Sequence, residues 1–135
     1  FLALTIYREA RNQTEKCMIA VGCSIRNRVI RKSWWGNSYL SVMFKKWQYS
    51  SLTATGDTQL LIWPKDDDVI FLKCLDIAEQ VVDNKVDNPF PGADSYFDIS
   101  IPNPKWATDD KMVGQDGRIK FYNLDEDIET LVIKV

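Results

Sequence analysis

The chain has 135 residues, a typical length for one domain, and its 45% hydrophobic residues are enough to build a core. A net charge of −2 and a pI near 5.1 argue against a nucleic-acid-binding or anionic-membrane-binding protein, because such proteins need a basic face. The absence of histidine excludes Ser-His-Asp and Cys-His nucleophile systems and the usual histidine-based zinc site.

Two helices are predicted in the N-terminal part of the chain. Apolar residues recur at helical spacing over 1–11, and a break at 12–14 offers Asn12 or Thr14 as a cap for the next helix. That second helix is predicted over about 15–32, with an apolar stripe that contains Met18, Val21, Gly22, Ile25 and Val29. Arg26 and Arg28 are expected at the surface or near the helix end.

The middle of the chain combines a short helix, a long loop and a third long helix. The short helix is predicted over 39–46, and the polar and aromatic stretch 46–58 is predicted to be a functional loop. Three aspartates at 66–68 precede a helix that runs to about Asn84. We interpret these acids as a helix start rather than a metal site, because carboxylates suit the positive end of a helix dipole.

A small β element is predicted late in the chain. Polar and apolar residues alternate weakly over 95–101, which is compatible with an extended strand. The stretch 111–124 resembles a hairpin with its turn at Gln115-Asp116-Gly117. The overall prediction is an α+β, mainly helical domain over 1–124 with a small antiparallel β element, followed by a C-terminal extension over 125–135.

The cysteines do not indicate a disulfide framework or a metal site. Cys17, Cys23 and Cys74 are odd in number and lie inside apolar stretches, so buried free thiols are expected. No metal and no organic cofactor are indicated. We also expect no membrane insertion, since no run is long and apolar enough to span a bilayer, and no targeting signal is seen in this chain.

Glu9 is the candidate catalytic residue. It shares a helix side with Leu2 and Ile6, at the edge of the apolar stripe, and it occupies the last turn of its helix. Partial burial and the negative end of the helix dipole would both raise the pKa of the Glu9 carboxyl, whereas Arg8 and Arg11 would lower it if they folded over it. A carboxylic acid that keeps its proton is what cleavage of a glycosidic bond requires; the alternative is a surface glutamate paired with arginine.

Two neighbouring segments, "TIYREAR" and "MIAVGCSIRNRV", resemble the bacterial cell-wall hydrolase family that includes the spore-cortex-lytic enzymes. Further matches follow in order: "WQYS", "GADSYFD" and "GRIKFY". The resemblance implies a lysozyme-like fold with one catalytic glutamate, Glu9, that acts on peptidoglycan between N-acetylmuramic acid and N-acetylglucosamine. It also implies action at the cell wall or periplasm, and for several members an anhydro-forming lytic transglycosylase reaction.

The matching positions supply candidate substrate contacts. Hydrogen bonds to the sugar are expected from Gln48 and Ser50, and flat faces for its rings from Tyr49, Tyr96 and Phe97. Tyr122 is expected to hydrogen-bond near the acid. For each of these residues a purely structural role in the core or the loop is the alternative.

A second carboxylate, which ordinary glycosidases need, has no sequence signature among the candidates Asp57, Asp94 and Asp98. A lytic transglycosylase does not need one, because the 6-hydroxyl of the sugar attacks and one glutamate serves as acid and then base.

Several positions depart from the family pattern. Arg8 and Asn12 stand where glycine is usual, and Phe97 and Asp98 stand where Tyr and Asn are usual. A catalytically silent glycan-binding or structural module of a phage particle or envelope complex is therefore the alternative function.

Overall fold

The computed structural model describes residues 1–31, 36, 38–44, 49 and 58–124. Its α-helices are α1 (Leu2–Ala10), α2 (Glu15–Arg31), α3 (Tyr39–Met43) and α4 (Val69–Val82), with 3₁₀ turns at Thr58–Leu61 and Asp109–Lys111. The strands are β1 (Ser95–Asp98), β2 (Met112–Asp116) and β3 (Ile119–Tyr122). The predicted α+β class is confirmed. Most of the predicted loop at 46–58 and all of the predicted extension at 125–135 lie outside the described residues.

Local capping interactions define the starts of two helices. The Thr14 hydroxyl accepts a hydrogen bond from the Cys17 amide at 3.1 Å and so begins α2. The Asp68 carboxylate accepts from the amides of Ile70 and Phe71 at 2.9 and 3.0 Å and begins α4. The aspartate run therefore marks a helix start, as predicted, with Asp68 as the cap. Within the described residues no group of His, Cys, Asp and Glu side chains could hold a metal ion.

The helical core forms where α1, α2 and α4 pack together. Ile6, Val21 and Val81 are completely buried there. Gly22 allows the close approach, because a Cβ at this position would lie 3.1 Å from Val81 Cγ2 and 3.2 Å from Ile6 Cδ1. The three cysteines are buried free thiols, as predicted. None of the described helices is long and apolar enough to cross a membrane.

The sheet has the strand order β1-β3-β2, with both pairs antiparallel. In its register Tyr96 lies opposite Phe121 and Asp98 lies opposite Ile119. The predicted hairpin is confirmed, but its turn lies at 117–118, so it begins two positions later than predicted. Asp116 is the last residue of β2 and pairs with Ile119, and Gly117 begins the turn with φ 55°, which glycine adopts without steric cost.

A buried aspartate joins the sheet to α2. Asp94 is 0% exposed, and its carboxylate pairs with Arg31 Nη1 at 2.5 Å and accepts hydrogen bonds from the Leu124 amide at 3.0 and 3.1 Å. Arg28 Nε donates to the Asp94 carbonyl at 2.5 Å. Arg28 lies in the last turn of α2, so the helix-end expectation is confirmed, whereas the surface expectation was wrong because its side chain is buried and fastens the start of β1 to α2.

Candidate active site

Glu9 lines a cleft of about 440 Å³ between the end of α1 and the sheet. The residue is partly buried in the last turn of its helix, at the edge of the apolar stripe as predicted. The cleft wall is completed by Tyr49 and by side chains from α2, from β1 and β3, and from the segment that follows β1: Arg28, Tyr96, Phe97, Asp98, Ile101, Pro104, Trp106 and Ile119. The volume is large enough for small-molecule recognition, which typically uses pockets of about 300–1,000 Å³.

Tyr96 is the cleft residue whose electrostatics are tied most closely to Glu9. Burial raises the pKa of Tyr96 well above its usual value, and the nearby Glu9 carboxylate raises it further. The Tyr96 hydroxyl is buried and has no hydrogen-bond partner among the described residues. The Tyr96 phenol therefore has an unsatisfied hydrogen-bonding group inside the cleft wall.

Tyr49 lines the same wall beside Tyr96. It is only 3% exposed, and its ring lies tilted against the Tyr96 ring at a centroid distance of 6.4 Å. The Arg28 guanidinium lies over the Tyr49 ring at 5.1 Å. Burial raises the pKa of Tyr49 to about 12; Arg28 opposes the shift, and Glu9 and Asp94 add to it. The neighbouring candidates Gln48 and Ser50 lie outside the described residues, so their roles stay predictions.

An aromatic group covers the other side of β1. Phe97 lines the cleft and lies roughly parallel to Tyr122 at 5.8 Å. The Trp106 ring stands edge-on to both, at 6.0 Å from Phe97 and 5.4 Å from Tyr122. Trp106 is 38% exposed and borders the cleft, whereas Tyr122 is buried and does not line it. The structure therefore brings Glu9, Tyr49, Tyr96 and Phe97 together, but it leaves Tyr122 behind the wall.

The two arginines that flank Glu9 attach a neighbouring segment to α1. Arg8 Nε donates to the Ile62 carbonyl at 3.1 Å, and the guanidinium lies over the Trp63 ring at 4.8 Å. Arg11 Nη1 donates to Gln59 Oε1 at 2.7 Å. These contacts give both arginines a structural function in holding the 59–63 segment.

Three aspartates, Asp57, Asp94 and Asp98, are the candidates for a second carboxylate. Among the described residues, Asp98 is the candidate that borders the cleft. Asp94 is committed to its buried network, and Asp57 lies outside the described residues. Asp98 Oδ1 accepts from the Ser100 amide at 2.8 Å and pairs with Arg118 Nη2 at 3.3 Å. Burial raises the pKa of Asp98, but hydrogen bonds from Ser100 and the charge of Arg118 outweigh it and hold the pKa below its usual range.

Sequence reasoning missed several cleft residues from α2, β3 and the segment after β1: Arg28, Ile101, Pro104, Trp106 and Ile119. The segment 102–108 has no helical or strand periodicity from which its position could be inferred. Trp106 itself was the available sequence signal, because a large aromatic residue outside a periodic segment often marks a binding surface.

The structure defines a mainly helical α+β domain with a small antiparallel sheet, in which a partly buried carboxylic acid at the end of the first helix faces a cleft. The sequence comparisons identify its family. A family model described as Cell Wall Hydrolase matches residues 12–122, so the chain belongs to the cell wall hydrolase family. It is therefore a cell-wall lytic enzyme, as predicted. The matched stretch begins three residues after Glu9.

Two similar solved structures share the fold. One is the catalytic domain of the germination-specific lytic transglycosylase SleB from Bacillus anthracis, with a TM-score of 0.68 and 20% sequence identity over 90% of this chain and 89% of that one. The other is the catalytic domain of the Bacillus cereus SleB protein, with a TM-score of 0.68 and 21% identity over 90% and 85% of the two chains. No curated protein matches the chain significantly.

Proposed function

We propose that this enzyme cleaves the bond between N-acetylmuramic acid and N-acetylglucosamine in peptidoglycan, with Glu9 as its general acid. The observation that carries the proposal is the position of Glu9, partly buried in the wall of a 440 Å³ cleft beside aromatic side chains. Membership of the cell wall hydrolase family supports the substrate, and one of the structural relatives is a germination-specific lytic transglycosylase.

Glu9 acts first on the leaving sugar. Its carboxyl proton goes to the glycosidic oxygen, the bond from that oxygen to C1 of the muramic acid breaks, and the electron pair stays with the oxygen. A nucleophile then closes on C1. If the 6-hydroxyl of the same sugar attacks, Glu9 takes its proton and the product is an anhydro sugar; if water attacks, the product is a reducing end.

The cleft walls provide the means to hold a glycan strand. Tyr96 contributes a hydroxyl without a hydrogen-bond partner among the described residues, and Phe97 and Trp106 contribute aromatic side chains to the cleft lining. Sugar rings carry hydroxyl groups at their edges and C–H groups on their faces, so a donor next to aromatic surface matches their chemistry. Gln48 and Ser50 are the proposed further hydrogen-bonding groups. The enzyme would act at the cell wall or periplasm, where glycan strands are its partner.

The loss of turbidity of purified peptidoglycan tests this function. Wild-type protein should clear the suspension, and Glu9→Gln, which keeps the size but cannot donate the proton, should fail. Glu15→Gln is the matched control, because Glu15 is exposed at the start of α2 and pairs only with Lys73 at 3.5 Å among the described residues. It should clear like the wild type.

A pelleting assay with the same peptidoglycan separates the enzyme from a silent glycan-binding module. Clearing by the wild type that Glu9→Gln abolishes without loss of binding supports catalysis. Binding without clearing by any variant would overturn the proposed function in favour of the module.

A further inference from the structure

We infer that a second groove, at the start of α1, is an additional glycan-binding site, which takes a neutral N-acetylglucosamine unit and holds the insoluble substrate near the cleft. The inference deepens the proposed function, on which the choice of a glycan as the ligand rests. The groove has a volume of about 300 Å³ and is lined by Phe1, Leu4, Trp63, Pro64, Asp66 and Phe71. No described residue lines both this groove and the cleft of Glu9.

Trp63 presents an open aromatic face in the groove. The Arg8 guanidinium lies over one face of its ring, 4.8 Å from the centroid, and Arg8 Nε is itself fixed by a hydrogen bond to the Ile62 carbonyl at 3.1 Å. Trp63 is nevertheless 70% exposed, so the face of the ring away from Arg8 lies open. A flat apolar face of this kind can stack on the C–H face of a sugar ring.

The other aromatic side chains of the groove are held by contacts outside it. The ring of Phe71 stands edge-on to Tyr7 at 5.8 Å, and the Tyr7 hydroxyl donates to Asp68 Oδ2 at 2.9 Å. Phe1 stands edge-on to Phe44 at 5.0 Å. These contacts fix the groove walls within the fold, and a preorganised site loses less conformational entropy when it binds a ligand.

The charges around the groove select a neutral ligand. Asp66 is exposed, and its carboxylate forms no hydrogen bond or ion pair with the described residues. It would repel an anion, but its oxygens accept hydrogen bonds from hydroxyl and amide groups. A cation has less to gain, because the ring of Trp63 already interacts with the positive charge of Arg8. N-acetylglucosamine is neutral and combines O–H and N–H donors with an apolar ring face, so it suits both residues.

The groove lies close to the cleft but on another side of α1. Leu4 lines the groove and Glu9 lines the cleft, and five residues of helix separate them by about 7.5 Å along the axis and about 140° around it. A glycan unit held in the groove raises the local concentration of strand at the cleft. This gain applies to polymeric peptidoglycan and not to a short fragment that occupies the cleft alone.

A second copy of this chain is the competing occupant of the groove. Exposed apolar patches also mark protein interfaces, and Leu61 and Val69, on either side of Trp63 in the sequence, are 84% and 77% exposed. Self-association through this surface would make the surroundings of Trp63 depend on protein concentration rather than on added sugar.

NMR tests the groove directly. ¹⁵N-labelled Glu9→Gln protein is titrated with the N-acetylglucosamine tetramer, and the indole N–H signals of Trp63 and Trp106, each assigned by substitution with Phe, report on the groove and the cleft. The Trp63 signal should shift saturably. Asp66→Ala should weaken that binding roughly tenfold. Asp67→Ala is the matched control, since Asp67 is an exposed neighbour that does not line the groove, and it should leave the binding unchanged.

Kinetics test the role of the groove in holding insoluble substrate. The rate of clearing of intact peptidoglycan is divided by the rate of cleavage of a soluble tetrasaccharide fragment. Trp63→Ala and Asp66→Ala should each lower this ratio about tenfold. Trp63→Phe, which keeps an aromatic face, should retain most of the ratio, and Asp67→Ala all of it. Thermal unfolding verifies that each variant is folded.

The outcomes separate this inference from the proposed function. A Trp63 signal that does not move with the sugar, or that shifts with protein concentration alone, would overturn the glycan site while Glu9-dependent clearing still stood. An unchanged rate ratio in the folded Trp63→Ala and Asp66→Ala variants would overturn its role in holding the substrate. No clearing by the wild type, together with a saturable Trp63 shift, would overturn the proposed function and leave the glycan site standing.

Discussion

The carboxylate of Glu9, in the last turn of α1, and the phenol of Tyr96, on the edge strand β1, are electrostatic neighbours across the cleft wall. The negative charge of Glu9 adds to burial in raising the pKa of Tyr96, so the phenol remains protonated at neutral pH. Glu9 and Tyr96, which are 87 positions apart in the chain, therefore line the same cleft from a helix end and from a strand.

Tyr96→Phe should reduce peptidoglycan cleavage without destabilising the fold. The Tyr96 hydroxyl is buried without a hydrogen-bond partner among the described residues, so removing it removes a desolvation cost of up to about 1–3 kcal/mol. We expect an unchanged or higher free energy of unfolding together with a severalfold lower cleavage rate. Chemical denaturation and the clearing assay measure the two quantities on one preparation. A parallel loss of stability and activity would mean that the hydroxyl serves the fold.

Trp106→Ala should weaken glycan binding. Its indole ring is partly exposed at the cleft opening and rests edge-on against Phe97 and Tyr122. Loss of a contact surface of this size corresponds to roughly 1.5 kcal/mol, or about a tenfold higher KM. Trp106→Phe, which keeps an aromatic face, should retain most of the affinity. Steady-state kinetics on soluble glycan strands would decide, and an unchanged KM in Trp106→Ala would contradict a binding role.

Asp94→Ala should be strongly destabilising, because Asp94 is the buried partner of Arg31 and of the Leu124 amide. Removal of one member of a buried ion pair leaves an uncompensated charge and typically costs about 3–5 kcal/mol. Asp110→Ala, at an exposed position, should change the free energy of unfolding by about 0.5 kcal/mol or less. Urea unfolding monitored by tryptophan fluorescence compares the two. Equal midpoints would show that the network does not support the fold.

The buried thiols should lower the free energy of unfolding at alkaline pH. Burial raises the pKa of Cys17 to about 12 and that of Cys74 to about 11, from an ordinary value of 9.0. Because these pKa values are higher in the folded state than in the unfolded state, the thiols' contribution is complete below about pH 9 and is lost as the pH rises through 11 to 12. Iodoacetamide at pH 8.5 should leave the native thiols unmodified and alkylate them in urea. Rapid alkylation of the native protein would contradict their burial.

Local physical signals were sufficient to predict the long helices and the hairpin from the sequence. Apolar periodicity and capping residues such as Thr14 and Asp68 located the helices, and the Asp-Gly pair located the hairpin turn to within two residues. The position of Glu9 at the stripe edge also follows from periodicity alone. The observed turn lies later than predicted because Asp116 pairs with Ile119 in the β2–β3 ladder. Turn propensities do not take such cross-strand pairing into account.

Residues positioned by distant contacts could not be predicted in this way. Arg28 lies on α2 among polar neighbours that indicate a surface, yet its guanidinium is buried by bonds to Asp94 and Ser95, which are 66 and 67 residues away in the chain. Trp106 reaches the cleft only because its irregular segment folds back against Phe97 and Tyr122. Such placements depend on tertiary packing, which neither propensity nor spacing encodes.

The proton donated by Glu9 can be tested most directly by changing the leaving group. Wild type and Glu9→Gln should be compared on glycan strands and on a dinitrophenyl glycoside of the N-acetylglucosamine–N-acetylmuramic acid disaccharide, whose phenolate departs without protonation. We expect Glu9→Gln to lose about 10²–10⁴-fold in rate on the strands and at least tenfold less than that on the dinitrophenyl substrate. An equal loss on both substrates, or no loss on the strands, would contradict proton donation by Glu9.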